Sequence, residues 1–496
     1  MRRKLPVSFY NLTTLVGVTV AAVMLALITI LIITDSLRGF GNPYMGLVTY
    51  IALPAVMIVA LLFAWIGFIR TRRRLVRGME HRYPTIDLNS KRQRSLLTWV
   101  GILGVILMAL SGFGSYQAYD YTESVKFCGQ TCHGIMGPEY TAYQHSPHAK
   151  VGCKECHVGP GANSYMQSKL AGSYQLMAAL TGKYHKPIPT PVKNIRSSKE
   201  TCETCHWTGQ FYSPKLRNHT YYLADDTNST YQINMMVKVG TTDLGKDEGI
   251  HSHMYLNNQI TYIATDAQRQ VIPYVEMHDK DGKLIVYRDT ENPADAATLA
   301  KGERHTVDCI DCHNRPTHQF PHPDTTLNFA FGRGQLDPSI PELKTAAVEA
   351  LEKPYKTQAE GLAGIKTSLV EFYKKNHPNI LTEKSAGLDN AVAVLQEIYG
   401  RSYFPEMKAD WKAHPDNLDH IHSSGCFRCH DDKHVSAEGR VISKNCQNCH
   451  LIVGQGKPGA MLPANMKGLE FKHPTDVGDA WKTTPCKDCH GNSEGK

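Results

Sequence analysis

Fourteen cysteines punctuate the chain, and each belongs to a pair: Cys128/Cys132, Cys153/Cys156, Cys202/Cys205, Cys309/Cys312, Cys426/Cys429, Cys446/Cys449 and Cys486/Cys489. A histidine directly follows the second member of every pair: His133, His157, His206, His313, His430, His450 and His490. With 24 histidines in 496 residues, chance places one after a given cysteine about 5 % of the time, so seven in seven is a pattern. Two thiols can add to the two vinyl groups of one porphyrin, and the adjoining imidazole then reaches the iron from the same side. The chemistry that fits is covalent attachment of seven c-type haems. Zinc sites use paired cysteines but need no histidine after each second one, and a disulfide or redox dithiol leaves that histidine without a task. Covalent haem attachment takes place outside the bacterial cytoplasm, so the motifs are expected on the periplasmic side. One motif differs: "FCGQTCH" has three residues between its cysteines where the other six have two. That spacing either shifts His133 and brings Met136 toward the iron or is a harmless insertion.

Six-coordinate iron needs a second ligand. Seventeen histidines lie outside the motifs, and His81 falls in a stretch read below as cytoplasmic. The candidates nearest a motif are His145, His148, His305, His318, His420, His422, His434 and His473. His251 and His253, in "IHSHMY", alternate along an expected strand and would share one face. Met136 lies three residues after His133, and Met/His ligation would raise that haem's potential relative to bis-His ligation.

Three elements come first in the chain. Residues 7–34, 39–69 and 95–119 carry no charged side chain, and each run exceeds the ~18 apolar residues of a spanning signal. Transmembrane helices are expected at roughly 11–34, 45–69 and 96–117, with Pro54 kinking the second. The first run is too long for a signal peptide and lacks a small-residue cleavage pattern. Arg2, Arg3 and Lys4 precede it, and the loop 70–94 holds nine further basic residues, Arg82 among them, whereas the loop between the first two runs holds only Asp35 and Arg38. The positive-inside rule puts the N-terminus and the basic loop in the cytoplasm and the motifs in the periplasm. The basic loop is read as topology and lipid contact, not as a nucleic-acid patch; it supplies much of the net charge of +8.

The first motif follows the third span by about ten residues, so its haem is expected at the membrane surface, where a lipid-soluble quinol could deliver electrons. Quinol oxidation releases protons, and Asp120, Glu123, Glu139 and Lys169 are the titratable candidates. The expected fold is a mainly α multihaem cytochrome with three transmembrane helices, much irregular haem-wrapping chain and a small β insertion. The expected divisions are a membrane anchor at 1–119, a four-haem domain at 120–325 with the β insertion at about 220–290, a haem-free helical segment at 326–413 and a three-haem domain at 414–496. The insertion rests on the period-2 stretches "YQINMMVKVG", "QITYIATD", "VIPYVEMHD" and "KLIVYRD", the last two joined by a turn at Asp279–Gly282. In the helical segment, "LDNAVAVLQEIYG" is expected to end on Gly400 as a C-cap.

"FCGQTCHGIMGPEYTAYQHSPH" followed by "GCKECHVGPGANSYMQSKLAG" resembles the NapC/NirT family of membrane-anchored quinol-oxidising cytochromes c. The resemblance covers roughly 95–325 and implies His148 and His318 as distal ligands and Lys169 at a quinol pocket. It departs in the spacing at the first motif, and the acidic or His residue expected beyond Lys169 is not evident in the stretch that Gln175 and Ala179 occupy. The whole chain resembles seven-haem inner-membrane cytochromes of metal-reducing bacteria, which implies electron flow from menaquinol to periplasmic c-type cytochromes. A terminal reductase of nitrite or hydroxylamine, or a donor subunit dedicated to one such enzyme, is the alternative; the C-x-x-C-K motif of one reductase class is absent.

Overall fold

In a computed structural model of the protein, described for residues 6–38, 49, 52–80, 87–131, 133–159, 162–192, 195–207, 213–240, 249–255, 260–279 and 281–491, the chain forms two compact units. One comprises Met1–Ser124 with Val158–Tyr174, the other Val125–His157 with Gln175–Lys496. Arg2, Arg3, Lys4, residues 45–48, 50 and 51 of the expected second span, His81, Arg82, Cys132, Lys280 and the side chain of His133 lie outside the described residues.

The first unit is built on the helices Leu12–Arg38, Leu53–Val76 and Lys91–Thr122. Among the described residues two stretches are long and apolar enough to cross a membrane, Leu12–Ile33 and Leu53–Val76. They pack through small residues, which let backbones approach when no water is squeezed out to drive association. A Cβ on Gly17 would stand 2.6 Å from the Ala60 carbonyl oxygen, Ala21, Ala60 and Ala64 are buried, and Thr14 Oγ1 donates to the Ala64 carbonyl at 3.2 Å. Pro54 does not kink the second helix: it sits in the first turn, where its missing N–H would have had no intrahelical partner. The third helix runs 32 residues and exposes Leu96, Trp99, Val105, Leu110 and Phe113.

The second unit has a helical core. Helices Pro323–Gly332, Leu343–Glu352, Gln358–Asn376 and Ser385–Ser402 carry apolar residues three and four apart, so each buries one stripe. Leu327, Ile340, Leu343, Ile365, Leu369, Tyr373 and Leu395 are essentially inaccessible; each such side chain contributes about 1.5–3 kcal/mol from burial. The last helix does not stop at Gly400 but continues to Ser402. Tyr403 explains this: its ring stacks on Tyr399 at 4.9 Å and its hydroxyl donates to Glu352 at 2.9 Å, so burying it draws the chain a further half-turn inward.

Among the described residues, nine strands form two sheets. The expected insertion supplies β1 (Lys215–Tyr222), β2 (Thr230–Val237), β3 (Ile260–Ile263), β4 (Tyr274–His278) and β5 (Leu284–Asp289). The hairpin β4–β5 closes as read, with Gly282 at φ 78°. These strands do not close on themselves, however. With β6 (Arg304–Thr306), β7 (His434–Ser436), β8 (His450–Lys457) and β9 (Ala460–Met461), the orders are β1-β2-β8-β9 and β6-β3-β4-β5-β7. Strands from the 434–461 region therefore complete both sheets, which an insertion defined by chain position alone does not anticipate.

Candidate functional site

Each C-x-x-C-H sequence is folded as a single turn. Cys153–His157, Cys309–Cys312 and Cys486–His490 are short helices, and Cys202–Thr204, Gly425–Arg428 and Cys446–Asn448 are 3₁₀ turns. In three motifs the histidine N–H donates to the first cysteine's carbonyl: His206 to Cys202 at 2.7 Å, His313 to Cys309 at 2.7 Å and His430 to Cys426 at 3.0 Å. Residues i, i+3 and i+4 of such a turn share one face, so both thiols and the imidazole address one ligand. Asp308 caps the fourth motif by accepting from Ile310 N–H, with Asp311 closing a capping box.

The thiols are not equally enclosed. Cys205, Cys446 and Cys489 are exposed, whereas the other described motif cysteines are partly buried. Cys205 and Cys489 are the second cysteines of the third and seventh motifs, and Cys446 is the first of the sixth. At these positions polypeptide alone does not cover the thiol. The physical reason is that one turn of chain cannot bury all of its own side chains. Covalent attachment requires that a thiol reach the ligand, not that protein surround it.

The odd motif is resolved by a different turn. Phe127–Thr131 is a π-helix, in which bonds reach from i to i+5. A wider turn can absorb one extra residue between the two cysteines of the motif. It also needs room: a Cβ on Gly129 would fall 2.1 Å from the Tyr140 ring. Met136 lies one turn into the helix His133–Gln144 and is partly buried.

The second unit pairs six of the motif histidines with histidines far away in sequence. Ring centres are 6.2 Å apart for His157/His318, 6.0 Å for His206/His148 and 6.5 Å for His313/His251. They are 5.8 Å apart for His430/His253, 6.2 Å for His450/His420 and 6.0 Å for His490/His473. Two imidazoles bound through nitrogen to opposite faces of one ion, with bonds of about 2 Å and ring centres about 1.2 Å further, stand about 6 Å apart. The residues present thus fit iron held between paired histidines beside two thiols.

The hydrogen bonds agree. Nδ1 of His148 donates to Pro316 O at 3.2 Å, of His318 to Glu139 O at 2.9 Å, of His251 to Val239 O at 3.0 Å and of His253 to Ile250 O at 2.8 Å. A carbonyl can only accept, so these bonds place the ring hydrogen on Nδ1 and the lone pair on Nε2, the orientation of a metal-ligating histidine. Burial, first of all, pushes His318 and His450 down to about 4, which keeps both neutral at pH 7 as a ligand requires. Nδ1 of His420 and of His450 is buried without a hydrogen-bond partner among the described residues. His490 has a second neighbour, His422, at 6.5 Å; that ring also stacks on His322 at 3.8 Å and bonds Asp419 at 2.6 Å.

Three candidates fall elsewhere. His434 has both ring nitrogens engaged within the protein: Nδ1 bonds Asp431 at 2.8 Å and Nε2 bonds the Ile272 carbonyl at 2.6 Å. Burial opposes its charged form, but Asp431 and the carbonyl outweigh it and hold its pKa above the ordinary value. Such a group stabilises the fold fully below the unfolded-state pKa, about 6.5, and this contribution is lost as pH rises through the folded value. His434→Leu is expected to flatten the fall in melting temperature above pH 6.5 while leaving haem spectra unchanged; altered spectra would reinstate it as a ligand. His305, on β6, lies against Tyr262 at 5.4 Å, and His145 is exposed; neither pairs with a motif histidine among the described residues. Closeness in sequence misled here, because the residues next to a one-turn motif need not face its iron. His414 was not singled out; it is buried with both ring nitrogens unpartnered among the described residues and stacks on Phe320 at 5.3 Å.

The thiols show how the motifs follow one another. Three pairs of thiols lie close enough to perturb each other's ionisation: Cys128 and Cys153, Cys202 and Cys309, and Cys426 and Cys449. Cys156 is within electrostatic reach of Cys202, Cys312 of Cys426 and Cys486 of Cys446. Every motif therefore adjoins the next in chain order.

A separate cluster lies in the first unit. Lys169 Nζ pairs with Glu123 Oε1, lies 3.3 Å from Thr122 Oγ1 and sits 4.9 Å from the Tyr165 ring centre; Tyr119 is 5.6 Å from Tyr165. The Glu123 side chain is 5 % exposed and that of Lys169 is 35 %. Burial and then the Glu123 charge raise the Tyr165 pKa. Asp120 is exposed on the preceding turn. Glu139 belongs to the other unit, where it is buried with Oε2 unpartnered among the described residues, and burial raises its pKa. Tyr165 is the member that sequence reasoning passed over; it stands four residues before Lys169, the spacing of one helical face.

Repeated one-turn thiol motifs with paired imidazoles, on a chain bearing membrane-type helices, define a membrane multihaem cytochrome c. The sequence model of the NapC/NirT cytochrome c family, N-terminal region, matches residues 90–213. Over 492 residues, 98 % of this chain and 96 % of the relative, the sequence is 41 % identical to the cytochrome c-type protein ImcH of Geobacter sulfurreducens. It is also 28 % identical over 115 residues to the cytochrome c-type protein NrfH of Wolinella succinogenes, covering 23 % of this chain and 63 % of that one. The chain belongs to the NapC/NirT family of cytochromes c and acts in electron transfer. No solved structure matches it.

Proposed function

We propose that the protein is an inner-membrane quinol dehydrogenase that takes electrons from menaquinol and passes them to periplasmic c-type cytochromes. The observation that carries the proposal is the Lys169–Glu123 pair over Tyr165. It joins a hydrogen-bond donor, a buried carboxylate and an aromatic wall at the end of a helix whose outer face is apolar. Exposed Leu170, Tyr174 and Met177 on the helix Ala162–Leu180 are the face expected to meet lipid. Cys128 follows Glu123 with four residues between them, a tether of at most about 18 Å.

In this reading three helices span the membrane, with the N-terminus and the basic loop cytoplasmic. The quinol ring packs against Tyr165, Lys169 Nζ donates to one quinol oxygen, and Glu123 accepts the proton that leaves it. Each quinol gives up two electrons and two protons. Seven covalent haems, when bound, supply one-electron carriers, and the succession of thiol contacts supports conduction in chain order from the first motif to the seventh.

Membranes containing the protein are expected to show haem reduction on addition of a menaquinol analogue, and the dithionite-reduced protein to bind at most one equivalent of CO, at the first haem. Absence of quinol-driven reduction, together with larger CO uptake, would favour the terminal-reductase reading.

A further inference from the structure

His251 and His253 are two residues apart, yet they face different partners. The segment is not a strand with both rings on one side. Ser252–Tyr255 is a turn of helix, and residues two apart on such a turn point about 200° from each other. His251 faces His313 at 6.5 Å with the rings nearly parallel at 5°, and His253 faces His430 at 5.8 Å at 81°. The motifs behind those partners are themselves neighbours, since Arg428 Nη2 donates to the Asp311 carbonyl at 2.7 Å.

We infer that the segment His251-Ser252-His253 supplies the distal ligands of two successive irons, His251 to the fourth haem and His253 to the fifth. It thereby couples the four-haem part of the chain to the last three haems. The inference rests on the haem reading of the motifs and is independent of the quinol reading.

The surroundings hold the segment in place. Ile250 N–H donates to the Lys238 carbonyl at 2.8 Å, and Lys238 N–H to the Cys449 carbonyl at 2.8 Å. Gly249 at φ 104° allows the approach, since a Cβ there would stand 2.6 Å from Lys238 O. Both imidazoles donate through Nδ1 to nearby carbonyls, which directs Nε2 outward. A cavity of about 310 Å³ lined by His253, His430, Gly249 and Cys449 lies where the fifth haem is expected. Its lining combines the proposed ligand pair with the backbone that supports it.

The test uses the full-length haem-loaded protein in detergent, reduced with dithionite so that no quinol is involved. His253→Ala and His251→Ala are each expected to bind one more equivalent of CO per chain than the parent, and the double variant two. His253→Met is expected to remain six-coordinate and to raise the potential of one haem, because thioether ligation favours the reduced iron. Intact mass must show the parent's haem count in each variant; if His253→Ala fails to accumulate, His253→Met alone decides. CO uptake equal to the parent's, a double variant that gains only one equivalent, or a Met variant in which no potential moves would overturn the assignment.

Discussion

Lys169→Ala is expected to slow menaquinol-driven haem reduction about 100-fold, the loss typical of removing one preorganised donor from a developing oxyanion. Reduction by dithionite should be unaffected, because that electron bypasses the lipid-side site. Glu123→Gln keeps the shape and a hydrogen-bonding group but removes the proton acceptor, and general-base catalysis typically contributes about 100-fold or more. The two losses should not multiply in the double variant, since Lys169 and Glu123 are in direct contact. Asp120→Asn, on the exposed turn, should leave the rate within about twofold. A full quinol rate in Lys169→Ala membranes, measured by stopped flow, would move the entry site elsewhere.

Gly129→Val is expected to yield a protein with one covalent haem fewer. The Tyr140 ring fills the space where the new side chain must go, 2.1 Å from its first carbon. That ring is not free to yield, because its hydroxyl accepts from Gln130 and Gln144 at 3.1 Å each. Overpacking of this kind costs about 1–3 kcal/mol, enough to disfavour the π-turn that holds Cys128. Intact mass and haem absorbance per chain check the outcome. Attachment of the full complement would show that the wide spacing does not depend on this turn.

What could be read in the sequence, and what could not, follows the range of the interactions. The thiol motifs were legible because one turn of backbone gathers residues i, i+3 and i+4. The exposure of Cys205 and Cys489 was not, since it depends on which distant segments pass over each turn. Strands β2 to β5 were legible from alternation, and the helices of 338–412 from their three- and four-residue spacing. The imidazole pairs were much less so: His157 and His318, or His253 and His430, meet only after the whole unit has folded. Proximity to a motif therefore admitted His145, His305 and His434 beside His148 and His473. The contact between Lys169 and Glu123 was hidden for the same reason, its members lying on separate elements 46 residues apart.

The sheets bear on how the chain matures. β2 pairs with β8 and β5 with β7, so strands that emerge early wait for partners some 150 to 220 residues later, and such distant pairings form slowly. The sheet β6-β3-β4-β5-β7 remains incomplete until His434–Ser436 have arrived and the sheet β1-β2-β8-β9 until Ala460–Met461, by which points five and six of the seven thiol motifs, respectively, have already left the biosynthetic machinery. The polypeptide is thus still open while most of its cysteines become available, so attachment chemistry can reach them before either sheet is complete.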